Sequence, residues 1–424
     1  MAKTITGKQV GDSYYQVEHP SGLTVLLYPK EHCSTTYAIF GTRYGSIDNC
    51  FQRSDEASPE SVPEGIAHYL EHKLFESEEG DAFERFSKTG ASANAFTSFE
   101  STCYLFSTTD QVYQSLEILL DFVQSPHFTE ETVRKEQGII GQEIKMYDDD
   151  PQWRVMFNYL KAMYHSHPIR EDIAGTVESI AKITPELLYR CYNTFYNLGN
   201  MVLAIAGNFQ VDKALAVCDK MLKPAAPVTV QRVFPQEPDT IVQPVVEERL
   251  SVASPLFQFG FKEPGADQPR SEKDVAATEV LLETLASDAS PLFRRLLDQG
   301  LVNESSFSYE YFEGNGYATV MFSGESKDPQ AVAQAILEEV ERFQREGIPA
   351  EAFERSKRAL YGELVAALNS TGSIANGLVN MHLKGRELFT YIDSLASLRL
   401  EDGEERLRKV FQRERSVLSV ILPH

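Results

Sequence analysis

A chain of 424 residues with 42% hydrophobic and 24% charged residues has room for two or three domains with buried cores, which excludes a wholly disordered or fibrous polymer. Forty basic against 62 acidic residues leave a net charge of −22, a field that repels phosphate backbones and argues against a nucleic-acid partner. The acidity either serves solubility or lines a site for cationic substrates, and composition leaves both open.

The five cysteines (Cys33, Cys50, Cys103, Cys191 and Cys218) are scattered with no C-x-x-C pair, the pattern of reduced thiols. The first residues lack the apolar stretch of a signal peptide, and no run approaches the length of a membrane span. A soluble, cytoplasmic protein is expected.

In chain order, residues 22–28 and 37–41 read as neighbouring strands. Residues 65–75 carry a helical apolar period, and 93–106 return to strand alternation. Residues 112–146 are helical again, broken at Ser125-Pro126 and restarted at Thr129, an N-cap followed by the acidic Glu130 and Glu131. Residues 200–207 form a buried strand. The proline-rich stretch 223–244 (Pro224, Pro227, Pro235, Pro238) reads as a linker between a first domain, 1–222, and a second, 245–424.

The two parts repeat one another. Shifted by 220 residues, Glu131 falls on Glu351, Ile140 on Leu360 and Glu143 on Glu363; near 212, Leu70-Glu71-His72 falls on Leu282-Glu283-Thr284. The expectation is an α+β fold of two homologous halves, the second without histidines at the matching places.

His68-Tyr69-Leu70-Glu71-His72 carries the chemistry. Residues four apart share a helix face, so both histidines can reach one metal ion, while Glu71 between them can address a water at that metal. This is the inverted zinc motif H-x-x-E-H. The best candidate for a third ligand is Glu143; Glu136, two turns earlier on the same face, can hold a ligating histidine through its free ring nitrogen. In contrast, His165-Ser-His167-Pro168 reads as local loop structure, and Gly314-Asn315-Gly316 as a hairpin turn.

With His68, Glu71, His72, Glu136 and Glu143, the sequence resembles the pitrilysin/insulysin/mitochondrial processing peptidase superfamily of zinc endopeptidases. Further matching blocks are Tyr44-Gly-Ser-Ile-Asp-Asn49, Gly90 to Thr97, Phe195-Tyr196 with Asn200, and Ala206-Gly207-Asn208; the wording around His68 and Glu143 is closest to bacterial YmfH-like members. The resemblance implies two α/β-sandwich halves of the LuxS/processing-peptidase kind, each a mixed sheet with helices on one face. It implies one Zn2+ per chain, held by His68, His72 and Glu143. Glu71 is then the general base, and Glu136 the second catalytic carboxylate, holding a ligating histidine. Asn94, Ala95 and Thr97 lie on an edge strand that receives a peptide substrate as an added strand, inside a clamshell of four domains from two chains. In such an enclosed chamber the charge of −22, otherwise a matter of solubility, would favour basic peptides.

One departure stands out. Active members carry an arginine and a tyrosine in the second half; here Leu297 and Asn303 or Glu304 occupy those places, with Arg294 and Arg295 too early and Tyr309 late. The resemblance therefore implies a zinc-bearing subunit paired with a paralogue that supplies Arg/Tyr. The alternatives are a self-sufficient homodimer using Arg295 or Tyr309, and a non-catalytic assembly protein of the same fold.

Overall fold

The computed structural model describes residues 2–77, 80–224, 226–266, 268 and 270–424. The chain forms two compact units. In the first, strands run in the order Lys3–Thr6, Ser13–Glu18, Thr24–Pro29, Met201–Gly207, Thr36–Thr42, Thr102–Thr108, Ser92–Thr97. Thr24–Pro29 and Met201–Gly207 are parallel, and the other neighbours antiparallel. In the second unit the order is Val245–Leu250, Ser416–Pro423, Leu256–Lys262, Tyr317–Glu325, Ser308–Gly314, again with one parallel pair at Val245–Leu250 and Ser416–Pro423. The five strands from Thr24–Pro29 outward repeat in the same order and directions, so the internal repeat is structural. Both sheets are mixed, as expected, and the strands and helices expected along residues 22–146 and 200–207 are present.

The units do not follow the chain halves end to end. The first comprises Met1–Ile144, Glu171–Val233 and Val365–Thr390; the second comprises Lys145–Arg170, Phe234–Leu364 and Tyr391–His424. Each sheet is thus covered by a helix from the other half of the sequence. Helix Thr371–Leu383 packs on Met201–Gly207 and Thr36–Thr42, whereas helix Pro151–Met163 packs on Ser416–Pro423 and Leu256–Lys262.

A glycine marks each contact. A Cβ on Gly41 would lie 2.9 Å from Val379 Cγ1, and one on Gly260 would lie 2.3 Å from the Tyr159 hydroxyl. Only a residue without a side chain lets the covering helix sit that close. Tyr159 then reaches past Gly260 to Thr319 Oγ1 at 2.6 Å, satisfying a hydroxyl that burial would otherwise leave costly.

Described residues of the stretch 223–244 make specific contacts with the rest of the chain. Val230–Arg232 pairs antiparallel with Cys50–Arg53. The Glu237 carboxylate accepts the backbone N–H groups of His165, Ser166 and His167 at 2.8–2.9 Å and the Lys262 ammonium at 2.6 Å. His167 is buried, with Nε2 on Asn315 O and Nδ1 accepting from Ile169 N–H, and burial drives its pKa down to about 4. The His165–Pro168 segment is therefore a binding cradle for a linker carboxylate, consistent with its reading as local structure. Gly314 pairs with Tyr317 across the expected hairpin. Among the described residues, no helix is long and apolar enough to cross a membrane.

Candidate metal centre

Helix Ile66–Leu74 buries Ile66, Ala67, Tyr69, Leu70 and Leu74. That burial fixes its rotation, so the 3.6-residue period turns His68 and His72 to one side together. Helix Glu130–Asp148 buries Val133, Glu136, Ile140, Gly141 and Ile144, a stripe at helical spacing. Tyr69 donates its hydroxyl to Val133 O and ties the two helices together beside the site.

The histidine rings lie 4.6 Å apart, centroid to centroid. Nε2 of His68 is 3.7 Å from Glu143 Oε1, and Nε2 of His72 is 3.4 Å from Glu143 Oε2. Ligand atoms of all three residues fall within 4.8 Å of one another. Donors bound tetrahedrally to zinc at 2.0–2.1 Å stand roughly 3.3 Å apart, so two imidazoles and a carboxylate at these separations fit such an ion with small adjustments. Glu136, nearly buried, places Oε1 3.0 Å from His72 Nδ1. This fixes the ring so that Nε2 faces the shared site.

Charge and burial act differently on the two rings. Burial, helped by the neighbouring His72, pushes the pKa of His68 down to about 4, so its ring is neutral and has a lone pair to give. Burial also opposes protonation of His72, but the hydrogen bond to Glu136 and the carboxylates of Glu143 and Glu71 outweigh it and raise its pKa. A metal ion there competes with a proton on His72, so its affinity falls as pH drops. Burial raises the pKa of Glu71, against the opposing effects of the Thr97 hydrogen bond and His72.

The expected site residues separate into three groups. His68, His72 and Glu143 converge, with Glu136 behind His72. Asn94 and Ala95 sit on Ser92–Thr97, the outermost strand of its sheet; Asn94 is exposed and its Oδ1 accepts the Ala95 N–H at 2.9 Å. Thr97 is the last residue of that strand, and its hydroxyl donates to Glu71 Oε2 at 2.6 Å. No sequence signal pairs Thr97 with Glu71, because the contact joins a strand to a helix 26 residues earlier. In the second unit, Arg295 donates to Ala335 O at 3.3 Å and lies 3.6 Å from Glu339. Tyr309 donates to Glu283, and its burial, with that carboxylate, drives its pKa far up.

Removing the charge behind His72 should be felt in metal binding. Glu136→Gln is expected to weaken zinc about 10-fold or more, read by competition with a chromophoric chelator. Unchanged affinity would remove Glu136 from this role.

Residues 59–177, which hold every group of the centre, match the insulinase (peptidase family M16) model, and residues 182–360 match the peptidase M16 inactive domain. A Bacillus subtilis protein described as the uncharacterized zinc protease YmfH is 39% identical over 428 residues, covering 100% of both chains. A probable mitochondrial-processing peptidase subunit beta of Arabidopsis thaliana is 24% identical over 77% of this chain and 63% of its own. Among solved structures, an M16-like peptidase from Alicyclobacillus acidocaldarius superposes with a TM-score of 0.92 at 36% identity, covering 100% of this chain and 98% of that one. With a full-length relative at this identity, and with both parts of the family in sequence, the chain belongs to peptidase family M16, the insulinase family.

Proposed function

We propose that this chain is the zinc-bearing subunit of a metalloendopeptidase, with His68, His72 and Glu143 as the ligands of one zinc ion. The observation that carries this reading is the position of Glu71: a half-buried carboxylate beside the three ligand groups, yet not one of them. Zinc held there supplies a Lewis acid that polarises a peptide carbonyl and acidifies water. Glu71 accepts the water proton and returns it to the leaving amine as the C–N bond breaks. Burial raises the pKa of Glu71, which makes the carboxylate a better proton acceptor. Glu136 keeps the His72 ring oriented throughout.

The outermost strand Ser92–Thr97 supports an extended peptide as the substrate class: Asn94 and Ala95 would offer backbone groups to an added strand. The net charge of −22 favours basic sequences. The relative named as a subunit of a processing peptidase, together with the internal engagement of Arg295 and Tyr309, supports a partner chain over a self-sufficient homodimer. A cytoplasmic location remains part of the proposal.

The test is cleavage of internally quenched peptides of graded charge, alongside zinc analysis. Chelation is expected to stop cleavage and one zinc per chain to restore it, with basic peptides cut faster and the difference shrinking as salt rises. Hydrolysis by protein shown to be metal-free would overturn the reading.

A further inference from the structure

The resemblance assigns Thr97 to substrate, but its side chain points elsewhere. Its hydroxyl donates to Glu71 Oε2 at 2.6 Å, a length typical of a charge-assisted bond. A threonine hydroxyl has one proton, and here it goes to the carboxylate. Thr102, directly opposite Thr97 in the antiparallel pair, stands 3.4 Å away and gives its own proton to Tyr44 O at 2.9 Å. Nothing in this arrangement competes for the Thr97 proton.

The support behind Thr97 is rigid. The turn that follows it closes through Ser98 N–H to Ser101 O, and loop 45–47 grips the turn through Ser46 N–H to Ser98 O and Ile47 N–H to Phe99 O. Gly45 packs against this turn so closely that a Cβ would come within 2.3 Å of Phe99 C. Tyr44 is fully buried and stacked on Phe195 at 4.0 Å. The edge strand is therefore exposed at Asn94 and pinned at Thr97.

We infer that Thr97 is a positioning residue that orients the Glu71 carboxylate, holding Oε2 so that Oε1 is presented to the water that is to be deprotonated. The inference rests on the assignment of Glu71 as the general base. Without the hydroxyl, Glu71 is free to rotate, and misplacement of a reacting group by about 1 Å costs up to roughly 100-fold in rate.

The experiment compares Thr97→Val, which keeps the shape and loses the donor, with Thr97→Ser, which keeps the donor. Each is made in the full chain with Glu71 intact and with Glu71→Gln, and assayed on one quenched peptide with the zinc content measured. The expected result for Thr97→Val is a kcat lower by about 10- to 100-fold, with KM within about twofold and one zinc per chain; Thr97→Ser recovers most of the loss. On top of Glu71→Gln, Thr97→Val adds little, because the group it orients is already disabled. Crystals of the metal-free variants give a readout independent of activity: the Glu71 carboxylate leaves its position in Thr97→Val and keeps it in Thr97→Ser. An undisturbed carboxylate or an unchanged kcat in Thr97→Val overturns the inference, as does equal damage by Val and Ser or a loss that follows zinc content. An active Glu71→Gln protein instead overturns the assignment of the base itself, so the two failures are told apart.

Discussion

Glu71→Gln is expected to keep one zinc per chain and to lower kcat for peptide hydrolysis by about 10²- to 10⁴-fold, the range that general acid–base catalysis supplies. Glutamine fills the same space and can still accept the Thr97 hydroxyl proton, but it cannot take a proton from water. The proposed ligand groups are His68, His72 and Glu143, not Glu71, so metal content should not follow activity. Metal analysis beside a quenched-peptide assay makes the measurement. Full activity in metal-replete Glu71→Gln protein would sink the assignment, whereas loss of zinc would mean that Glu71 shapes the metal site itself.

The second large effect concerns the partner. A paralogous chain that lacks H-x-x-E-H but carries the Arg/Tyr pair is expected to raise kcat/KM by about 10²- to 10³-fold, the worth of a donor aimed at a developing oxyanion. The alternative donors in this chain have other work. Arg295 lies along helix Pro329–Glu346, with Ala335 O and Glu339 as its neighbours, and Tyr309 gives its proton to Glu283. Titrating the paralogue against a fixed amount of this chain should give a saturating rise at one-to-one stoichiometry. Full activity in a purified, single-component sample would favour the homodimer; zinc binding without cleavage at any ratio would favour an assembly role.

Much of the candidate centre was legible in the sequence because the residues expected to form it obey helical spacing. His68 and His72 lie four residues apart, and Glu136 and Glu143 seven apart, so the period alone places each pair on a face. That the two faces converge depends on Tyr69 reaching Val133, a contact that spans 64 residues and has no local signature. The strands at residues 22–28, 93–106 and 200–207 were readable from alternation and apolar runs. The exchange of helices Pro151–Met163 and Thr371–Leu383 was not: amphipathic helices reveal which face they bury, not which sheet receives it. The role of Glu237 was hidden for a related reason. A carboxylate in a proline-rich stretch looks solvated until the N–H groups it meets, some 70 residues earlier, are in place.

The exchanged helices also bear on how the chain is made. Helix Thr371–Leu383 contributes Ile374, Ala375, Leu378 and Val379 as buried side chains, and it covers the sheet that carries the candidate metal centre's neighbouring strand Ser92–Thr97. During synthesis that sheet must wait, with an apolar face open, until residue 383 has left the ribosome. Cutting the chain at its linker would divide both sheets from their covers. A two-chain assembly of the proposed kind would therefore pair whole chains, each keeping both halves, because a split at the linker parts each sheet from its covering helix.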